Sequence, residues 1–299
     1  MELPYDLLDV FTTRPLTGNP LAVVRDARGL SDAQMQAVAR ELNLSETSFV
    51  LPSATCDVRA RFFTPTTELP TAGHPSVGTV YALYQRGLFR DRERVTLELQ
   101  AGPTEMRLER RGDALARVWM DQGVPVLGET FDKGAVARAL GLGVAALERD
   151  LPVQLGSAGN PFLLVPVASL EALAAVTPSH AALAEVLGGA PVGVFAFTQN
   201  AGAPGVRVRA RMFGEALGVR EDPATGSAHG PLAAYLAAHT DLLRGAEAAF
   251  VSHQGLEMGR PSELFVRLRR TPEGVAVAVG GAAVRVGEGR LFLAGEDGE

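Results

Sequence analysis

The chain carries one passage twice. ELPTAGHPSVGTVYAL runs from Glu68 to Leu83, and EDPATGSAHGPLAAYL runs from Glu221 to Leu236. Each has an acidic residue, a proline two places on, a glycine three places later, and then an apolar run. Gly73 and Gly226 lie 226 − 73 = 153 positions apart. Two further pairs keep the same order. GNPLAVV from Gly18 matches GNPFLLV from Gly159, an offset of 159 − 18 = 141. VRARFF from Val58 matches VRARMF from Val208, an offset of 208 − 58 = 150. Offsets that grow slowly along the chain mark a diverged duplication, and the period is too long for stacked solenoid repeats. Each copy is therefore expected to be a whole domain, and the two are expected to share one topology. A length of 299 residues agrees with two domains at roughly 150 residues each. The expected division is 1–122 and 123–299, with the last strand a candidate to return to the first domain.

Within one copy the pattern mixes strand and helix. Ser31 followed by Gln34 is a capping box, which predicts a helix to about Leu42. TSFVLP and VRARFFT read as strands, the second alternating at period two. SVGTVYALYQRG reads as a helix ending at Gly87. VTLELQAG, TEMRLERRG and LARVWMD read as antiparallel strands joined by tight turns. Few connections look like parallel crossovers, so the expected class is α+β with mainly antiparallel sheets.

Composition removes several classes of function. Apolar residues make up 46% of the chain, and 28 basic against 34 acidic residues give a net charge of −6. That balance argues against a nucleic-acid or anionic-membrane partner. No apolar run approaches the length of a membrane-spanning helix, and MELPYDLLDVF has no basic leader, so a cytoplasmic setting is expected. Cys56 is the only cysteine. It can form no intrachain disulfide, and a buried, inert thiol is expected. The five histidines, at 74, 180, 229, 239 and 253, form no ligand cluster, and no metal is expected. GLGVAALE lacks the third glycine of a dinucleotide fingerprint, and no P-loop occurs. No cofactor is expected. Arg59 and Arg61 on one strand, and Arg207, Arg209 and Arg211 on another, read as solvated charged faces.

The repeated loop places small residues between a strand and the start of a helix. Such a turn exposes backbone N–H groups at the positive end of the helix dipole. A carboxylate on a small substrate can sit there. The bland alternative is a pair of tidy caps, with His74, Asp222 and Ser227 serving only the turns.

TGNPLAVV, LNLSETSFVLP, ELPTAGHPSVGT, EDPATGSAHG and HQGLEMGRPSEL together resemble the phenazine biosynthesis PhzF-like family, whose members have the diaminopimelate epimerase-like fold. The resemblance covers nearly the whole chain. It implies two similar domains, each a barrel-like sheet around a central helix starting near His74 or Ser227, with substrate held in the cleft between them. It also implies a homodimer. In epimerase relatives two cysteines work on opposite faces of one carbon. By the resemblance those places fall here on Ala72 and Thr225, which rules out a two-thiol mechanism. Glu46, in LSETSFV, resembles the family's acid/base glutamate. A glutamate in a partly apolar setting can have its pKa raised toward about 6 or 7. It could then take a proton from one carbon and return it to another. His74 and Asp222 match further polar site residues, and Gly73, Gly226 and Ser227 would offer donors to substrate. Asn19 would shape a turn or line the cleft. The implied reaction is cofactor-free proton transfer on a small carboxylate-bearing metabolite, with trans-2,3-dihydro-3-hydroxyanthranilate as the phenazine case.

Two other readings stay open. Ser227, His74 and Asp222 supply the residue types of a hydrolase triad, although no G-x-S-x-G elbow is present. A metabolite-binding protein that kept the fold without turnover is the other.

Overall fold

The computed structural model describes residues 1–215 and 218–293. Residues 216–217 and 294–299, which belong to the expected second domain, lie outside the described residues. The chain divides into two compact units. One comprises Met1–Asp121 with the segment from Gly280 onward, and the other Gln122–Val279.

In the first unit β1 (Glu2–Val10) pairs antiparallel with β2 (Asn19–Val24), which pairs parallel with β3 (Glu46–Leu51) across α1 (Asp32–Leu42). β3 pairs antiparallel with β4 (Val58–Phe63), and β4 with the short β5 (Glu68–Leu69). After α2 (Gly73–Gln85) the chain returns as β6 (Arg94–Leu99), parallel to β4, and continues antiparallel through β7 (Gly102–Arg111) and β8 (Ala114–Asp121).

The second unit repeats this order. It opens with β9 (Val126–Phe131) and α3 (Lys133–Ala139). β10 (Val153–Ser157) pairs antiparallel with β9 and with β11 (Pro161–Pro166). Two short helices, α4 (Leu170–Ala174) and α5 (His180–Val186), lead to β12 (Gly193–Thr198), which is parallel to β11. β13 (Val208–Gly214) pairs antiparallel with β12 and with β14 (Val219–Asp222). After α6 (Gly226–His239), β15 (Glu247–Gln254) runs parallel to β13 and antiparallel to β16 (Ser262–Thr271). β17 (Gly274–Gly281) follows. The final strand, β18 (Ala283–Phe292), pairs antiparallel with β1 of the first unit. The class is α+β and mainly antiparallel, but each unit has two parallel pairs that the sequence pattern hid. Their crossovers are the helices themselves.

α2 and α6 are central because they are apolar or small all round. Gly73 through Val80 are all buried, as are Ala228 through Leu236. α2 packs on β1, β2, β3, β4, β8 and β18. Such a helix must be surrounded, which is why each sheet curls around one. The fit is tight, and it is reached differently in each unit. A methyl group at Gly78 of α2 would lie 2.4 Å from Leu21 Cδ2 and 2.8 Å from Val10 Cγ2. At the matching place α6 carries Pro231. There the strand gives way instead: a methyl group at Gly156 of β10 would lie 2.8 Å from Pro231 Cβ.

A second core layer lies outside each sheet. α1 packs Met35, Val38 and Ala39 against Phe49 and Phe63. Its start is the capping box expected from Ser31 and Gln34, with both reciprocal bonds formed. In the other unit α3, α4 and α5 supply the corresponding layer. No helix among the described residues is long and apolar enough to cross a membrane.

Two local expectations change. Cys56 is half-buried in a loop, its backbone N–H bonded to Ser53 Oγ at 2.8 Å, because the strand starts only at Val58. Arg61 and Arg211 are not solvated. Arg61 bonds both carboxylate oxygens of Glu68 at 2.7 Å and lies over the Phe63 ring. Arg211 bonds both oxygens of Glu221, at 2.8 and 3.1 Å, and lies over Phe213. It also donates to the carbonyls of Leu173, Ala174 and Val176. Each arginine thus ties down the short strand that leads into a repeated loop.

Candidate active site

Three of the expected residues meet at one end of the first unit. Asn19 opens β2 and Glu46 opens β3. Because these strands are parallel, with Leu21 opposite Glu46, their first residues lie at the same end. His74 is the second residue of α2, which starts there too. His74 Nε2 lies 3.3 Å from Glu46 Oε2. His74 Nδ1 lies 3.1 Å from Asn19 Nδ2. An amide nitrogen only donates, so Nδ1 accepts and the neutral ring carries its proton on Nε2, which lies near Glu46 Oε2 without forming a hydrogen bond to it. Burial pushes the His74 pKa down to about 3, which keeps the ring neutral at ordinary pH. Glu46 is partly buried, its side chain 15% exposed. Next to it Ser48 faces inward and bonds Thr79 of α2 at 2.6 Å, while Phe49 faces the α1 layer.

Gly73 is the first residue of α2, and its N-cap, Ala72, offers no side-chain acceptor. The first N–H groups of the helix therefore have no partner within it. His74 is not the cap. The same holds for α6, whose N-cap is Thr225 and not Ser227, and whose cap side chain does not turn back onto the helix.

In the second unit the Thr225 hydroxyl is engaged elsewhere. Thr225 Oγ1 donates to Asp222 Oδ2 at 2.6 Å. Gln254, fully buried near the end of β15, donates from Nε2 to Thr225 Oγ1 at 3.0 Å and to the Asp222 carbonyl at 2.7 Å. Its Oε1 accepts the Thr225 backbone N–H at 3.0 Å. His229, one helical turn after Thr225, bonds the Thr225 carbonyl through Nδ1 and Ser252 Oγ through Nε2, both at 2.8 Å. Burial lowers the His229 pKa to about 4. Gly226 is buried at the head of α6 and Ser227 is half-buried beside it.

Sequence reading missed Gln254, Ser252 and His229. The four-residue spacing from Thr225 to His229 was a usable signal for the last. Nothing local announces Gln254, which lies 29 positions after Thr225. Within the first unit the His74 nitrogens lie against Asn19 and Glu46, and within the second Asp222 receives the Thr225 hydroxyl.

The chain is similar to known proteins along nearly its whole length. The family model for phenazine biosynthesis-like proteins matches residues 8–289. A Pseudomonas chlororaphis protein named trans-2,3-dihydro-3-hydroxyanthranilate isomerase is 40% identical over 97% of this chain and 99% of its own. The crystal structure of a PhzF-family phenazine biosynthesis protein from Bacillus anthracis is 30% identical, with a TM-score of 0.92 over 98% of this chain and 100% of that one. A probable proline racemase from Agrobacterium radiobacter, 16% identical with a TM-score of 0.66, shares the fold across 99% of this chain and 94% of its own. The chain belongs to the phenazine biosynthesis-like PhzF family, and it is an isomerase.

Proposed function

We propose that this isomerase moves a proton between two carbons of one small carboxylate-bearing substrate, with Glu46 as both acid and base. The observation that carries the reading is the 3.3 Å approach of Glu46 Oε2 to Nε2 of a neutral, buried His74. The two atoms are close without forming a hydrogen bond, and such contacts tighten when substrate is held; the neutral ring beside the carboxylate supplies no competing base. Glu46 takes a proton from one carbon. The electron pair left behind spreads into the conjugated system of the substrate, and the same carboxyl group returns the proton to a different carbon. Double bonds shift, and no net oxidation occurs.

The open N–H groups at Gly73 and Gly226, with Ser227 beside the latter, suit an anionic substrate group. Asp222 suits a substrate amine or hydroxyl. The named activity of the 40% identical relatives makes trans-2,3-dihydro-3-hydroxyanthranilate the first compound to test.

The test is proton NMR in deuterated buffer with that compound and a panel of small carboxylates. Wild type should incorporate deuterium or isomerise at least one of them, and Glu46→Gln should lower the rate by about 10²–10⁴. Turnover that survives in Glu46→Gln would overturn the assignment of the base. Tight binding of a metabolite without exchange would favour the non-catalytic reading.

A further inference from the structure

The hydrogen bonds around the start of α6 have only one consistent direction. The Thr225 carbonyl can only accept, so His229 Nδ1 carries a proton and donates to it. The neutral ring then accepts at Nε2, and Ser252 donates to it. The Gln254 amide nitrogen can only donate, so Thr225 Oγ1 accepts from it. The single hydroxyl proton of Thr225 is thereby directed to Asp222 Oδ2. Gly255 adds a second constraint. Its φ is +78°, and a methyl group there would lie 2.6 Å from the Pro223 carbonyl oxygen and 2.4 Å from that of Arg260. The Gln254–Gly255 pair therefore seats the Asp222–Thr225 loop twice, by a side chain and by close backbone approach.

We propose that Gln254 is a positioning residue of the isomerase. By donating to Thr225 it obliges the threonine hydroxyl to point at Asp222 and holds that carboxylate as an oriented hydrogen-bond acceptor for substrate. The proposal rests on the reading of Asp222 as a substrate-contacting group. Thr225, at the place where epimerase relatives have a cysteine, is then neither nucleophile nor base. It is the link through which Gln254 acts.

The test is a double-mutant cycle read in kcat and KM with trans-2,3-dihydro-3-hydroxyanthranilate. Gln254→Glu keeps the shape but removes the donating amide. Gln254→Met removes it without adding charge, and serves if the buried glutamate prevents folding. Each should lower kcat by about tenfold or more, the worth of one hydrogen bond to a charged group, with a smaller change in KM. Thr225→Val should do the same, and Thr225→Ser should recover most of that loss. Gln254→Met also releases the Asp222 carbonyl and the Thr225 N–H, so the double variant should fall below Thr225→Val alone but by clearly less than the product of the two single losses, since the hydroxyl linkage is shared. Losses that multiply in the double variant would overturn the proposal. So would Gln254→Met with wild-type kcat beside an inactive Asp222→Asn, and that outcome would leave the proton-transfer reading standing. Full turnover by Asp222→Asn would instead remove the role of Asp222 itself, and this inference with it.

Discussion

Glu46 and His74 face each other across 3.3 Å, on a histidine that burial keeps neutral and that Asn19 holds from behind. With Asn19 they form a trio built from the first residues of two parallel strands and the first turn of a central helix. Its geometry therefore depends on backbone elements and not on a mobile loop.

The neutrality of His74 is testable directly. Its ring resonances should show no titration between pH 5 and 9 in an NMR experiment, because burial places its pKa at about 3. Asn19→Asp should change this. A carboxylate behind Nδ1 favours the imidazolium, so the ring should begin to titrate in the accessible range, and turnover should fall. A ring in Asn19→Asp that stays silent across that range would contradict the assignment of Nδ1 as acceptor.

Buried histidines also set how stability depends on pH. His74 and His229 have folded pKa values of about 3 and about 4, below the ordinary value near 6.5. As pH falls below about 6.5 the unfolded chain takes up these protons first. Their contribution is full above that value and is lost as pH falls toward 4, by roughly 1.4 kcal/mol per histidine per unit. Asp6, held below the usual carboxylate range by Arg86 and Arg25 against the opposing effect of its own burial, acts only at lower pH. Urea unfolding at pH 7 and pH 5 should show the loss. Equal midpoints at both would contradict it.

Gly78→Ala should destabilise the first unit by about 1–3 kcal/mol, since the added methyl meets Leu21 and Val10 in a packed interior. Leu21→Ala in the same chain should recover part of the loss by vacating that volume. Thermal unfolding of the single and double variants checks both. Simple addition of the two costs would show that the helix does not touch Leu21 as described.

Arg211→Ala should cost more than Arg61→Ala. Arg211 is nine-tenths buried and satisfies three carbonyls besides Glu221, whereas Arg61 is shared between Glu68 and the exposed Asp32. The two carboxylate pairs are similarly buried, so the difference lies in the carbonyls that Arg211→Ala would strand, each buried acceptor left unsatisfied costing about 1–3 kcal/mol. Chemical denaturation of both variants measures the difference, and equal losses would refute the contrast.

These arginines also show where sequence reading stops. Period-two alternation told which residues share a strand face, but not what the chain would lay over that face. Arg61 and Arg211 read as solvated until Glu68 and Glu221 are folded back upon them. The duplication and the capping box at Ser31 were legible, because each rests on local spacing; Glu46, His74 and Asn19 stood out one by one through family motifs, and their meeting at one end of β2, β3 and α2 was not legible. The parallel pairing of β2 with β3 was not, since a helix between strands reads alike whichever way the next strand runs. Gln254 was hidden for another reason. Its role lies in the direction of three hydrogen bonds to a loop far back in the sequence, and a lone glutamine in a strand carries no mark of that.

β18 has a consequence for how the protein is made. Met1 and Leu293 exchange backbone hydrogen bonds, and Glu2 sits opposite Phe292. On the ribosome, the residues of the second unit emerge in full before β18 exists. The half of the molecule synthesised first is thus the half finished last. Until then one side of β1 waits as an open edge, the kind of surface on which nascent chains join to each other. That edge stays uncovered from the time β1 emerges until the last strand of the sheet is made.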